Sequence, residues 1–261
     1  FAMPSLARAQ TIGARVLGVV LLFALFTSAC ERVLLRFDAT RKLHRHTALT
    51  LVGAAASMFH CLLALIATIW LFASLTDDGA PTDNPAGLLV LRLHTHVLTH
   101  RTDAAGCLFL GFLVFDSLFV IRHFHVKGIG GYAFLIHHFA FILACWLNMD
   151  TQLCNYIFPV LYVGEVSTIF LNLRIVVRAF DRPDFAVSAA FLVAFFLTRV
   201  VLMGLAVGQL VSLRASLYVL LDPSVLFSYL CLLPCLYLLN LYWFAKMCRS
   251  ALRVLNGAKV D

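Results

Sequence analysis

Seven long apolar runs constrain this chain more than any other feature, at about 12–30, 48–75, 104–121, 132–149, 154–177, 185–211 and 220–248. Each approaches the roughly 20 residues that a helix needs to cross the hydrocarbon core of a bilayer. In that medium every backbone polar group must be satisfied inside the segment. The expected fold is therefore all-α, a polytopic membrane protein of about seven transmembrane helices. Composition agrees: 62% of the residues are hydrophobic and 13% charged, whereas soluble domains are about half apolar and a quarter charged. No stretch remains that would fold as a separate soluble domain.

The breaks between runs have local causes. Arg36–His46 is a basic loop, and Asp77–Pro85 is a polar turn with prolines. Arg122–Gly131 ends in Gly128, Gly130 and Gly131, which do not sustain a helix. Asn148–Thr151 is expected to be a tight polar corner. Pro183 is placed to begin the sixth helix, and Asp222 with Pro223 the seventh. Pro159 and Pro234 fall inside runs and are expected to kink them. Ala86–Arg101 is too polar for a span and suits a segment at the membrane surface. Residues Phe1–Arg15 carry Arg8 and Arg15 and no acid, as the tail of a targeting segment would.

The loops alternate in charge. One side, with the C-terminus, carries twelve Lys and Arg against five on the other. By the positive-inside rule the first side faces the cytosol, or the matrix in a mitochondrial membrane. The net charge of +7 is thus spent on orientation rather than on nucleic acid. The eight cysteines lie mostly in apolar runs without a disulfide-like framework and read as small hydrophobes.

Ionisable and amide side chains within the runs are costly and point to function. Asp116 lies in the third run, His137 and His138 in the fourth, Glu165, Asn172 and Arg174 in the fifth, Arg199 in the sixth, and Asn240 and Lys246 in the seventh. Asp116, His137 and Asn172 each lie about five residues from the inner end of their run, a depth of about 8 Å. Glu165, Thr168 and Asn172 follow i, i+3, i+7 spacing and share a helix face. One polar cavity between helices, opening toward the positive side, accommodates this set. A purely structural alternative pairs Glu165 with Arg199 and Asp116 with Arg174.

Several of these residues sit in runs that resemble the TLC-domain family, which includes the ceramide synthases. They are Gly111-Phe112-Leu113-Val114-Phe115-Asp116, the pair His137-His138, Gly164 through Arg174, Phe195-Phe196-Leu197-Thr198-Arg199, and Asn240 with Trp243. The resemblance implies a domain over 48–250 with six helices around a central polar cavity. It is preceded by an N-terminal segment with one helix (1–47) and followed by a tail (251–261). It also implies a membrane lipid as ligand. Ceramide synthases carry paired histidines and a stretch ending H-D-x-S-D, and they transfer an acyl group from acyl-CoA to a sphingoid base. Here Glu165 and Ser167 stand at the first acidic and serine positions, Gly164 replaces the histidine and Thr168 the second aspartate. The chain therefore resembles the non-synthase members more closely, which are linked to membrane lipid composition, sensing or trafficking.

A di-iron centre is the metal alternative, given His94, His96, His100, His123, His125, His137 and His138. The first three fall on the opposite side from the rest, about 30 Å of hydrocarbon away, so no metal is expected. Three readings follow. The leading one is a lipid-handling protein in which His137, His138, Glu165, Asp116, Asn172, Arg174, Arg199 and Asn240 contact a headgroup. The second is an acyl-CoA-dependent N-acyltransferase, with His137 or His138 as base or acyl acceptor, Glu165 orienting it, and acyl-CoA as co-substrate rather than any bound cofactor. The third is a non-catalytic subunit with protein partners in a larger membrane assembly. The expected location is the endoplasmic reticulum or another endomembrane, with the mitochondrial inner membrane as alternative.

Overall fold

The computed structural model describes residues 6–36, 45–77, 96–126, 131–151, 157–212, 214–220 and 223–256. They form helices α1 (Leu6–Arg36), α2 (Arg45–Asp77), α3 (His96–Arg122), α4 (Tyr132–Thr151) and α5 (Ile157–Ala179). Helix α6 runs from Phe185 to Phe195, widens into a π-helical stretch over Phe196–Leu202, and continues through Met203–Ser212. A short α7 (Arg214–Leu220) precedes α8 (Pro223–Leu255). No strand occurs among the described residues.

Among the described residues, five helices are long and apolar enough to cross a membrane: α1 over Ala9–Leu34, α2 over Thr47–Leu71, α3 over Asp103–Arg122, α6 over Phe185–Ser212 and α8 over Leu226–Val254. Such helices belong to an integral membrane protein. Exposed Leu25, Ile66, Ile69 and Phe139 on the outer faces suit lipid and would be penalised in water. The fourth and fifth expected spans are helices too, but they differ from the other five. The apolar stretch of α4, Tyr132–Leu147, is short. Helix α5 carries Glu165, Arg174 and Arg178 along its length.

Packing follows a closed sequence of neighbours. Helix α2 packs on α3, α3 on α4, α4 on α8, α8 on α6, α6 on α5, and α5 back on α2 in the most extensive of these contacts. Helix α1 lies outside, against α3 and α2. Its anchor is Phe23, fully buried against Phe112 and Phe115 of α3 at ring-centre distances of 5.1 and 5.6 Å. Gly111 permits the close approach, because a Cβ there would stand 2.6 Å from Val19 of α1.

Several sequence expectations are corrected. Asn148–Thr151 is the last turn of α4, not a corner outside it. Helix α3 begins at His96, so part of the segment expected at the membrane surface is helical; residues 78–95 lie outside the described residues, as do most of the basic loop and Gly128 and Gly130. Pro159 falls in the first turn of α5, where a missing N–H costs nothing. Pro234 does lie inside its helix, α8, as expected.

Pro183 does not begin α6. That position belongs to Phe185, with Asp184 as the preceding cap residue. The α5–α6 corner is instead built by two devices. Helix α5 ends in a Schellman motif, with Arg182 N–H donating to the Val177 carbonyl (3.1 Å) and Asp181 N–H to that of Arg178 (3.0 Å). Asp181 takes the left-handed conformation this demands, at φ 52°. One Asp184 carboxylate oxygen then accepts from Arg178 Nε (2.7 Å), Ser188 Oγ (2.8 Å) and Arg174 Nε (3.0 Å).

Burial pushes the Asp184 carboxyl up, but the Ser188 and arginine hydrogen bonds outweigh it and hold it at about 2. Its folded value is thus below its ordinary 3.8. The clamp's stabilisation is therefore complete above about pH 4 and is lost as pH falls through about 2. Asp184→Asn is expected to cost about 1 kcal/mol at neutral pH, with the exposed Arg178 arm contributing least. Hydrogen exchange across 180–188 should speed in the variant at pH 7, and the difference should vanish near pH 2. Equal protection at pH 7 would show that the clamp carries no stability.

Candidate functional site

A cavity of about 570 Å³ lies where the N-terminal ends of α2, α4 and α6 meet the C-terminal ends of α3, α5 and α8. Its walls are largely aromatic, with Phe109, Phe112, Phe134, Phe141, Phe195 and Trp243 among them. Phe109 and Ser167 are buried, whereas Lys246 is exposed, so the cavity deepens from the Lys246 rim toward Ser167. Arg122, Arg178, Arg249 and Arg253 are exposed at the same end of these helices.

The polar lining divides into two walls. On the α5–α6 side, Arg199 is the centre. The π-helical stretch of α6 carries it toward α5, with Thr198 Oγ bonded back to the Ala194 carbonyl (2.8 Å). Arg199 Nη2 donates to Glu165 Oε1 and to Thr168 Oγ1, each at 3.0 Å. Its Nε donates to Ser167 Oγ (3.0 Å) and the Gly164 carbonyl (3.2 Å). Glu165 Oε2 also lies 3.8 Å from the Cys61 thiol of α2, which donates to it. Asn172, about two turns further along α5 than Glu165, donates to Ser57 Oγ at 2.8 Å and so also ties α5 to α2.

On the α3–α4 side, His137 and His138 are both buried. The His137 ring meets Trp243 and Phe141 edge-on at 4.8 and 4.5 Å, and its Nδ1 has no hydrogen-bond partner. His138 Nδ1 lies 3.3 Å from Ser117 Oγ of α3, and its Nε2 lies 3.7 Å from Asp116 Oδ2.

The sequence model of the TLC-domain family matches residues 53–249. The chain belongs to the TLC-domain family. No match was found among curated proteins. The TLC domain takes in every lining residue of the cavity except Thr50 and Ser250, and it excludes α1.

Of the residues singled out from sequence, Asp116, His137, His138, Glu165, Asn172, Arg174 and Arg199 all line this cavity. Asn240 does not. It is fully buried between α8 and α6, donating from Nδ2 to Met203 Sδ at 3.0 Å. Glu165 does pair with Arg199, at 3.0 Å. The Asp116–Arg174 pair is corrected: Arg174 turns to Asp184, and Asp116 faces His138. The carboxylate expected to orient a histidine is bonded to Arg199 and Cys61, and the side chain on His138 Nδ1 is Ser117. At Gly164 a Cβ would meet Arg199 at 3.8 Å, so an imidazole there would reach into space the guanidinium fills. The side chains of His94, His96 and His100 lie outside the described residues.

Sequence reasoning missed Ser117, Ser57 and His60. The first two are small hydroxyls whose role depends on which helix they face, which spacing alone does not reveal. His60 carried a usable signal, an ionisable residue in the middle of an apolar run. It is fully buried on α2, stacked on Phe112 at 3.8 Å, with neither ring nitrogen hydrogen-bonded.

Proposed function

We propose that this TLC domain is a lipid-handling protein that holds the head and first carbons of a membrane lipid in the cavity. Its role would be in binding, sensing or regulating membrane lipid composition. The observation that carries the reading is an aromatic-walled cavity of about 570 Å³ with a polar patch inside it, within a bundle of lipid-length helices. Pockets of this size and lining are those that bury small amphiphiles. In this reading α4 and α5 also cross the bilayer, giving seven spans, with six helices around the cavity and α1 outside. The exposed arginines at the cavity's end face the cytosol or matrix. The membrane is the endoplasmic reticulum or another endomembrane, with the mitochondrial inner membrane as the alternative.

A photoreactive fatty probe added to the detergent-purified protein tests this. Label is expected on peptides bearing Phe112, Phe141 and Trp243. Label confined to the outer surface, around Leu25 and Ile66, would overturn the reading.

The adjacent imidazoles on the cavity wall favour a second reading, N-acylation of a sphingoid base from acyl-CoA. The unpartnered His137 Nδ1 is the group available as base or acyl acceptor. Wild-type protein supplied with both substrates should then form amide, and the His137→Ala, His138→Ala double variant should not. Absence of product from wild type would leave the binding role alone.

A further inference from the structure

Away from the cavity, a groove of about 490 Å³ runs between α1 and α3, lined by Arg15, Gly18, Val19 and Leu22 of α1 and by Ala104 and Cys107 of α3. We infer that this groove is a site for one glycerophospholipid, with its phosphate on Arg15 and an acyl chain lying along the two helices. Half of the site is built by a helix outside the matched TLC domain.

The lining residues set its shape. Arg15, Gly18, Val19 and Leu22 follow i, i+3, i+4, i+7 spacing, so they form one face of α1 over about 10 Å of its length. Ala104 and Cys107 are one turn apart on α3. The two helices descend together, since Val19 meets Gly111 and, one turn on, Phe23 meets Phe112 and Phe115. The apolar stretch of α3 begins at Asp103, which puts Ala104 at the edge of the hydrocarbon. Arg15 shares the upper end of the groove with Ala104, and Gly18, Val19 and Leu22 lead inward from it. The hollow is real at Gly18, where an added Cβ would meet nothing within 4 Å.

Apolar contact alone would not retain one lipid among many, because lipid chains are as apolar as the groove wall. The cation supplies the preference. An arginine within an apolar run is costly unless it meets an anion or reaches the interface, and Arg15 lies inside the Ala9–Leu34 stretch. It is exposed, and no carboxylate among the described residues forms an ion pair with it. Asp103, next to Ala104, is buried and stays out of the groove wall. The planar guanidinium matches two oxygens of a phosphate diester through parallel N–H···O bonds. Inorganic phosphate offers the same acceptors but leaves the apolar wall below Arg15 uncovered.

The test uses the full chain in detergent and a phosphatidylglycerol with a photoreactive group on one acyl chain. Label is expected on the peptides containing Gly18–Leu22 and Ala104–Cys107. Arg15→Gln should cut that label about tenfold, the loss expected for a hydrogen-bonded contact to a charged group, and Arg15→Lys should keep more of it. Gly18→Leu fills the groove and should also cut the label about tenfold, with thermal unfolding unchanged because the position faces open space. Dioleoylglycerol, which lacks the phosphate, should compete only at concentrations about tenfold or more above those of dioleoyl phosphatidylglycerol. Inorganic phosphate should not displace the probe. Displacement by inorganic phosphate as effective as by the lipid would make Arg15 a free-anion site and overturn the inference. Label indifferent to both Arg15→Gln and Gly18→Leu would overturn it too, as would label no denser here than around exposed Ile66 and Ile69 of α2. Label confined to the cavity peptides bearing Phe141 and Trp243 would overturn this site and leave the cavity reading intact.

Discussion

Glu165→Ala is expected to destabilise the protein by roughly 3–5 kcal/mol, the largest effect of any single substitution considered. The carboxylate is 13% exposed and its partner Arg199 12%, so neither charge is paid for by water. Removing Glu165 leaves the guanidinium with hydroxyl and carbonyl acceptors but no counter-charge inside a bundle. The α5–α6 contact is the part expected to loosen, since Arg199 is the residue that crosses it. Thermal unfolding in detergent should show the loss. Glu165→Gln, which keeps an acceptor for Nη2, should lose less. A Glu165→Met, Arg199→Leu double variant should recover much of the deficit, because buried pairs are often replaceable by apolar side chains of similar volume. Equal melting of Glu165→Ala and wild type would mean that the pair is solvated.

Gly111→Ala is expected to cost about 1–3 kcal/mol, the range for forcing atoms into a packed contact. The added methyl would meet Val19 Cβ and Cγ1 at 2.6 Å and the Val16 carbonyl oxygen at 3.1 Å. A β-branched side chain on a helix has little rotamer freedom, and a helical carbonyl has less, so α1 itself must shift. The effect should be confined to the α1 contact, since α1 lies outside the matched TLC domain. Val19→Ala in the same chain should restore part of the loss. A neutral Gly111→Ala would show that α1 sits further from α3.

The long helices were legible because their cause is local: apolar length and the bilayer's demand for internal hydrogen bonds. Helix ends were less legible. Asn148–Thr151 reads as polar and breaks the apolar run, yet polar residues end a helix only when the backbone turns, and here it does not. Pro183 carries the strongest start signal near α6, but the helix begins at Phe185, and the carboxylate of the preceding Asp184 serves Ser188 and two arginines rather than the backbone.

Within the cavity, the helix-face spacing of Glu165, Thr168 and Asn172 located one wall. Charge pairing was legible where two spans face each other, as for Glu165 and Arg199. It failed for Arg174, whose partner Asp184 lies beyond the helix end where no periodicity applies. The widened turn at Arg199 left no mark in the sequence. Its consequence is a change of register that depends on how α6 seats against α5 and α8.

The separation of the two polar walls has a consequence for how such a domain can diversify. The residues around Arg199 tie α5 to α6, and Glu165 ties α5 to α2, so changes there are felt as folding defects. Asp116, Ser117 and His138 bridge only α3 and α4, which are already joined by the turn at His123–Val126. In the lipid-binding reading, substitutions at those three positions would change one wall of the cavity while leaving the main inter-helix struts in place. One wall of the cavity is thus free to vary with the pocket's contents in that reading, while the other is held by the demands of the bundle.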